Sequence, residues 1–280
     1  MTKKQINEQI NELLSLKSLV ETYEEVAALR MQAIRQSVLK AREFLDGLSN
    51  VFVQVKTNLD GNTKITEIST LNRNGLIVAV FVSANEGLYG DIINKTYELF
   101  SQFIVKRQTD SVIIGKLGVK IVAERNPTLL YNYFDFSDKG LDMDNLGLIM
   151  RYLLQFEQIY VFHGKYESLL NQTPVVSSIS GDQHIAQAGP NQEEHRYLFE
   201  PNIKEVLSMF ESQIMATLFQ QTMHESQLAK FASRLFHLDE AVESIEDTLK
   251  ESRAKKRRVI HSIAARKQLN TISGISLWGN

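Results

Sequence analysis

The chain of 280 residues contains no cysteine. That excludes disulfides, thiolate metal sites and a cysteine nucleophile, and it is compatible with a reducing compartment. Proline is scarce. Pro127, Pro174, Pro190 and Pro201 are the only four, so residues 1–126 and 202–280 have none. Proline breaks helix interiors, so both ends are free to form very long helices. Glycine is also sparse there: Gly47 is the only one before Gly61, and none lies between Gly189 and Gly274. No run approaches the roughly 20 apolar residues of a membrane-spanning helix. The opening Met1-Thr2-Lys3-Lys4-Gln5 has neither the apolar core of a signal peptide nor the Arg-rich character of a transit peptide. The expectation is a soluble intracellular protein, bacterial by default. Excess positive charge is missing too: 31 Lys and Arg face 33 Asp and Glu, for a net charge of -2. A sequence-independent nucleic-acid binder needs accumulated positive charge, so nucleic acid is not expected as a partner.

What is present is periodic. Ile6, Ile10, Leu13, Leu16, Val20, Tyr23, Ala27, Met31, Ile34, Val38, Ala41, Leu45, Leu48 and Phe52 form an apolar stripe stepping by threes and fours. Over about 50 residues this predicts a coiled-coil seam on a helix of roughly 75 Å. A second stripe begins at Leu207, Phe210, Ile214 and Thr217. It continues through Leu228, Phe231, Leu235, Leu238, Val242, Ile245 and Leu249 to Val259 and Ile263. Asn202 to Thr271 would make roughly 105 Å of helix, with Gly274 as a stop signal. Neither stripe is satisfied alone. With a domain between them, the two helices are expected to pair antiparallel.

Between the helices the period changes. Gly75–Ser83 holds a continuous β-branched run, which reads as a strand buried on both faces of a parallel sheet. Residues 92–107 read as a helix, 111–115 as a strand, 119–123 as a short strand, 146–156 as a helix, 158–163 as a strand and 174–180 as a further strand. Gly181–Glu194 reads as a polar loop. The predicted fold is α/β with long terminal helices: an antiparallel two-helix coiled coil plus a small, mainly parallel α/β domain. The expected domains are the N-terminal helix, 1–56, the α/β domain, 70–182, and the C-terminal helix, 202–275, paired with 1–56.

Candidate chemistry is thin. Gly87-Leu88-Tyr89-Gly90-Asp91 follows the first buried strand, where α/β folds bind phosphates, but Gly-x-Gly-x-x-Gly is missing and Glu86 and Asp91 would repel a phosphate. Gly115-Lys116 lacks the hydroxyl residue and the earlier glycine of a P-loop. The six histidines show no i, i+4 pair and no His-Glu-x-x-His. No catalytic residue, cofactor site or metal site is assigned. One charge pattern stands out: Asp239, Glu240, Glu243, Glu246, Asp247 and Glu251 precede Arg253, Lys255, Lys256, Arg257 and Arg258. Five basic residues among six surround the helix and include the seam position Lys256. Two readings are open: a solvated helix with internal ion pairs, or a helix that leaves its partner and enters a cavity lined with another protein's acidic groups.

Several segments together resemble the gamma subunit of F-type ATP synthases, over almost the whole chain. Tyr197-Leu198-Phe199-Glu200-Pro201 is similar to the segment before the family's C-terminal helix. Val26-Ala27-Ala28-Leu29-Arg30-Met31 is similar to its N-terminal helix signature. Ile77–Ser83 with Gly87-Leu88-Tyr89-Gly90 resembles its strand and Gly-Leu-Cys-Gly-Gly loop. Phe162–Tyr166 with Gln172–Pro174, and Ile272-Ser273-Gly274, resemble two further motifs. The sequence departs at Asn85-Glu86, where the family usually has Asp-Arg, and around Phe236–Ala241.

The resemblance implies a non-catalytic central rotor stalk in a proton- or sodium-translocating rotary ATPase. Its partners would be the alpha and beta subunits of a catalytic ring, an epsilon-type stalk subunit and a membrane c-ring. The complex would sit peripherally on the cytoplasmic face of a bacterial cell membrane. Partner contacts would involve Arg30, Met31, Gly87, Leu88, Gly90, Arg253, Lys255, Lys256, Arg257 and Arg258. A coiled-coil scaffold or regulatory adaptor without a rotary role, and an α/β enzyme with helical extensions, remain as alternatives.

Overall fold

The computed structural model describes residues 2–57, 73–107, 109–138, 140, 142–179, 200 and 203–277. The elements in chain order are α1 (Lys3–Thr57), β1 (Ile77–Val82), α2 (Ile92–Lys106), β2 (Asp110–Ile114), α3 (Lys116–Arg125), β3 (Asn132–Phe134), α4 (Met143–Leu153), β4 (Gln158–Tyr166), β5 (Gln172–Ser178) and α5 (Ile203–Leu277). The chain divides into two compact units, Met1–Ala27 with Leu235–Asn280, and Ala28–Arg234. Both long helices contribute to both units.

The larger unit, 28–234, holds one five-stranded sheet in the order β3-β2-β1-β4-β5. β1 pairs parallel with β2 and β4, β2 pairs parallel with β3, and β5 closes the edge antiparallel to β4. The β-branched run predicted as a doubly buried strand is β1, with Val78 to Phe81 fully buried. One sheet face carries Phe81 and Phe162, which pack with Tyr97 and Phe100 of α2 at ring separations of 5.5–5.8 Å. The other face joins Val78, Val80, Val112, Ile114 and Ile159 to Ile149 and Leu153 of α4, Leu45 and Phe52 of α1, and Ile214 and Phe219 of α5. Within this unit the helices run antiparallel: Arg30 meets Phe231, and Phe52 meets Phe210.

The smaller unit is the helix pair alone. Ile6 and Ile10 pack with Leu249, flanked by Leu13, Ile245 and Val259. Lys17 reaches Glu246, so this pair is antiparallel as well. The apolar stripe expected on α1 needs correction here. Leu16 and Tyr23 are exposed, at 45% and 48%, while Lys17 and Glu24 are half-buried. The seam keeps a strict four-three step, Ile6, Ile10, Leu13, Lys17, Val20, Glu24 and Ala27. Two polar residues therefore hold seam positions, and their apolar neighbours one residue earlier face out. The α5 side of the seam runs Leu235, Leu238, Val242, Ile245, Leu249, Ser252, Lys256 and Val259, each buried or half-buried. Ile263, read as part of the stripe, is 52% exposed, and every residue from 260 to 272 is exposed.

Other boundaries differ as well. Residues 119–123, read as a strand, are helical within α3, because Gly115 turns the chain immediately after β2. Its φ of +97° lies where L-residues rarely go. β3 was not anticipated; three residues give too short a period to read. Gly274 does not end α5, which continues to Leu277. The loop reading of 181–194 and four of the five residues in Tyr197–Pro201 lie outside the described residues.

Candidate functional site

The segment after β1 is where the fold concentrates charge. β1 ends with its carboxyl edge between β2 and β4, so Ser83 to Asp91 leaves the sheet at the point where strand order reverses. Ser83 ties this exit to α3. Its hydroxyl donates to the Ile114 carbonyl at 2.7 Å and accepts from Gly118 N–H at 2.8 Å. A Cβ on Gly118 would stand 2.6 Å from that hydroxyl oxygen, so the glycine permits the approach.

Asp138 then holds the next turn. One carboxylate oxygen accepts from the backbone N–H of both Asn85 and Glu86, at 2.7 Å each. The other faces the Lys230 ammonium of α5 at 3.2 Å, and that ammonium also donates to the Ser83 carbonyl at 2.8 Å. Both side chains are buried, at 5% and 4% exposure. Burial pushes the Lys230 pKa down, against the opposing pull of Asp138. A buried pair survives only when its remaining hydrogen-bonding capacity is met, and here backbone groups meet it.

One turn further along α5, Arg234 donates to the Gly87 carbonyl at 2.5 Å, approaches Glu86 at 3.4 Å and lies over the Tyr89 ring at 4.2 Å. Ser233 donates to the Tyr89 carbonyl at 2.9 Å. Burial, and secondarily Asp138, raises the Tyr89 pKa, so the phenol stays neutral. Four side chains, Asp138, Lys230, Ser233 and Arg234, thus fasten residues 83–89 onto α5.

Gly87, Leu88 and Gly90 come together at the tip of this loop. Leu88 is 61% exposed with φ of +67°, and Gly90 has φ of +55°. A leucine in the left-handed region costs roughly 1–2 kcal/mol against glycine-like freedom. Arg30 belongs to the same neighbourhood. It is half-buried over the Phe231 ring at 5.6 Å, a ring that Arg234 also covers at 5.7 Å, and one of its terminal nitrogens is buried with no partner among the described residues. Met31 is half-buried on α1.

The five basic residues lie in the smaller unit. Arg253, Lys255, Arg257 and Arg258 are exposed, and Lys256 is half-buried in the seam. Among the described residues, only Lys255 of the five has an ion pair, with Glu251 one turn back at 3.9 Å. The block sits at the end of the paired stretch, with Ser252 buried and Val259 packed near Ile6; the helix becomes unpaired after it, from residue 260. An earlier departure from the partner, at the block itself, is not what the packing gives.

A cavity of about 290 Å³ opens beside the clamp, lined by Asn85, Glu86, Asp135, Ser137, Asp138 and Asn145. Its carboxylates would repel a phosphate. Among the described residues, no group of three or more His, Asp or Glu is placed to hold a metal ion, and no helix is long and apolar enough to cross a membrane. Sequence reasoning missed Asp138, Lys230 and Arg234. Lys230 and Arg234 stand one turn apart on α5, but Asp138 lies 92 residues from Lys230 in the chain.

Two long antiparallel helices, with a small, mainly parallel sheet fastened to one of them by buried charges, define the class: a helical stalk carrying an α/β domain. Comparison with known proteins gives the same class. A family model described as ATP synthase matches residues 2–259. The ATP synthase gamma chain of Protochlamydia amoebophila is 20% identical over 97% of each chain, and that of Ruthia magnifica is 22% identical over 89% of each. Among solved structures, a chain of the Euglena gracilis mitochondrial ATP synthase, in an OSCP, F1 and c-ring assembly, covers 99% of this chain with a TM-score of 0.66 at 12% identity. A chain from the central stalk and c-ring of the Tetrahymena thermophila enzyme gives 0.56 at 14%. The chain belongs to the ATP synthase family, among its gamma chains.

Proposed function

We propose that this chain is the central rotor stalk of a rotary F-type ATP synthase or ATPase, coupling transmembrane ion flow to ATP synthesis or hydrolysis on a surrounding ring of alpha and beta subunits. It carries no ATP chemistry itself. An epsilon-type stalk subunit and a membrane c-ring would complete the rotor, at the cytoplasmic face of a bacterial cell membrane. The observation that carries the reading is the end of α5. Beyond the last seam residue, Val259, the helix goes on with every described side chain exposed through residue 272, including Ile263, Leu269 and Ile272. Helices do not leave such surface bare without a partner to receive it.

In this reading Arg253, Lys255, Lys256, Arg257 and Arg258 meet acidic groups of the ring where the helix enters it. Arg30, Met31, Gly87, Leu88 and Gly90 form a second contact region. The test is the double variant Arg257→Ala with Arg258→Ala. The melting temperature of the isolated chain should stay the same, because exposed charges contribute little to stability. Ring assembly and ATP-driven rotation should weaken, and high salt should reproduce the loss by screening. Unchanged assembly and rotation would leave the block as a solvated face.

A further inference from the structure

The dipeptide Asn74-Gly75 occurs at the entry to β1 and is the only Asn-Gly in the chain. Both residues are exposed. The Asn74 side-chain carbonyl accepts from the Leu76 N–H at 2.9 Å, an Asx turn that fixes the side chain over its own backbone. That hydrogen bond also draws electron density from the side-chain carbonyl carbon.

Three further features converge on the same bond. The Gly75 N–H donates to no group among the described residues. Gly75 has φ of +71° and carries no Cβ. Around the position a Cβ would take, no atom lies within 4 Å, so a ring has room to form and water has access. Among the described residues the side-chain amide nitrogen of Asn74 likewise has no hydrogen-bond partner.

We infer that Asn74 is a site of spontaneous backbone-assisted deamidation. The Gly75 nitrogen loses its proton and bonds to the Asn74 side-chain carbonyl carbon. The carbon-to-amide-nitrogen bond breaks, and ammonia carries off that proton, leaving a cyclic imide. Water then opens the imide at one of its two carbonyls. One product is aspartate, and the other is isoaspartate, whose main chain is one carbon longer. No oxidant, reductant or enzyme is involved; water is the sole co-reactant.

The location gives the reaction a structural consequence. Asn74 N–H donates to the Gln155 carbonyl at 2.8 Å, and the Leu76 carbonyl accepts from Glu157 N–H at 2.9 Å. These two bonds bracket the reacting residue and align β1 with β4. Aspartate leaves both in place and adds one negative charge. Isoaspartate lengthens the backbone between them, so both cannot keep their geometry. Aged molecules would therefore carry a loosened start to the central strand.

The experiment incubates the full chain at mildly alkaline pH, folded and in parallel unfolded in urea. Peptide mass analysis follows the mass gain of an amide-to-acid conversion at residues 74–75, and isoaspartyl methyltransferase labelling reports the isoaspartate. The folded chain is expected to convert at least as fast as the unfolded one. Gly75→Ala should slow the folded chain several-fold, and Asn74→Asp should keep the parent's melting temperature while isoaspartate-containing chain melts lower. An Asn74 that stays intact in the folded chain while the unfolded chain converts would overturn the inference.

Discussion

The two compact units use charge in opposite ways. In the helix pair of the smaller unit, polar residues sit in the seam itself, half in water: Lys17 pairs with Glu246 at 2.6 Å, and Glu24 feels the like charge of Asp239. In the larger unit, Lys230 and Asp138 are withdrawn from water, and each of these two is satisfied by several groups. The seam between two helices is narrow, so a charge there keeps contact with solvent and its energy is small. A core built on a sheet and five helices offers little such escape, so a buried charge there is costly unless its bonds offset the lost water. Charge is thus decorative in the first unit and structural in the second.

Removing one member of the buried pair should do the most damage. Lys230→Met leaves the buried Asp138 carboxyl without its cation and facing a methyl group, and should cost the larger unit about 3–5 kcal/mol. Urea unfolding of parent and variant measures it. A loss below that of any seam charge would end the contrast between the units.

Acid sharpens the comparison next. Burial holds the His163 pKa down to about 4. Its Nδ1 faces the Gly164 carbonyl at 3.0 Å and must donate, so Nε2, 2.9 Å from the Ser177 hydroxyl, accepts. The unfolded chain binds a proton at ordinary histidine pH values while the folded chain does not. Stability is therefore complete above about pH 6.5 and falls as pH drops from there to 4, by up to ~3 kcal/mol for this residue. His224, also held near 4 by burial, adds in the same direction. Urea titrations at several pH values should show this slope, and His163→Asn should flatten it.

Leu88→Gly should stabilise the larger unit by about 1 kcal/mol, since glycine accepts the positive φ that leucine resists. Contact with a partner through that tip should weaken at the same time. A destabilised variant would mean that the exposed leucine makes contacts worth more than its strain.

The smallest effect belongs to the seam. Burial first, then Asp239 and Glu21, raise the Glu24 pKa, so the folded smaller unit is favoured by protonation and loses stability as pH rises through the shifted pKa. Glu24→Gln should stabilise by only about 0.2–0.5 kcal/mol at neutral pH, the usual size of a like-charge pair on helices. Hydrogen exchange along residues 17–27 would detect the change. The Lys17–Glu246 pair has the opposite sense, with Lys17 raised and Glu246 lowered chiefly by their mutual hydrogen bond; its stabilisation holds between the ordinary carboxylate and lysine ranges and fades outside them.

The sequence by itself determined the two long helices, their antiparallel pairing, the buried first strand and the mainly parallel sheet. The elements follow from local periodicity and from the absence of proline and glycine, which act within a few residues; the antiparallel sense follows from the domain that lies between the helices in the chain. It also determined the step of the seam, but not its occupants. Leu16 and Tyr23 are more apolar than Lys17 and Glu24, yet a four-three step maintained from Ile6 to Phe52 outranks hydrophobicity at single positions. The helical state of residues 119–123 was decided by the Gly115 turn and by packing of Gly118 against Ser83, which override the strand preference of valine and isoleucine. Only tertiary structure decided the clamp on the loop after β1. Its members come from the segment between β3 and α4 and from a distant helix, and no spacing rule connects Asp138 to Lys230. Their pairing exists because the sheet buries both ends of that contact at once, where an unpaired charge would cost more than the fold can supply.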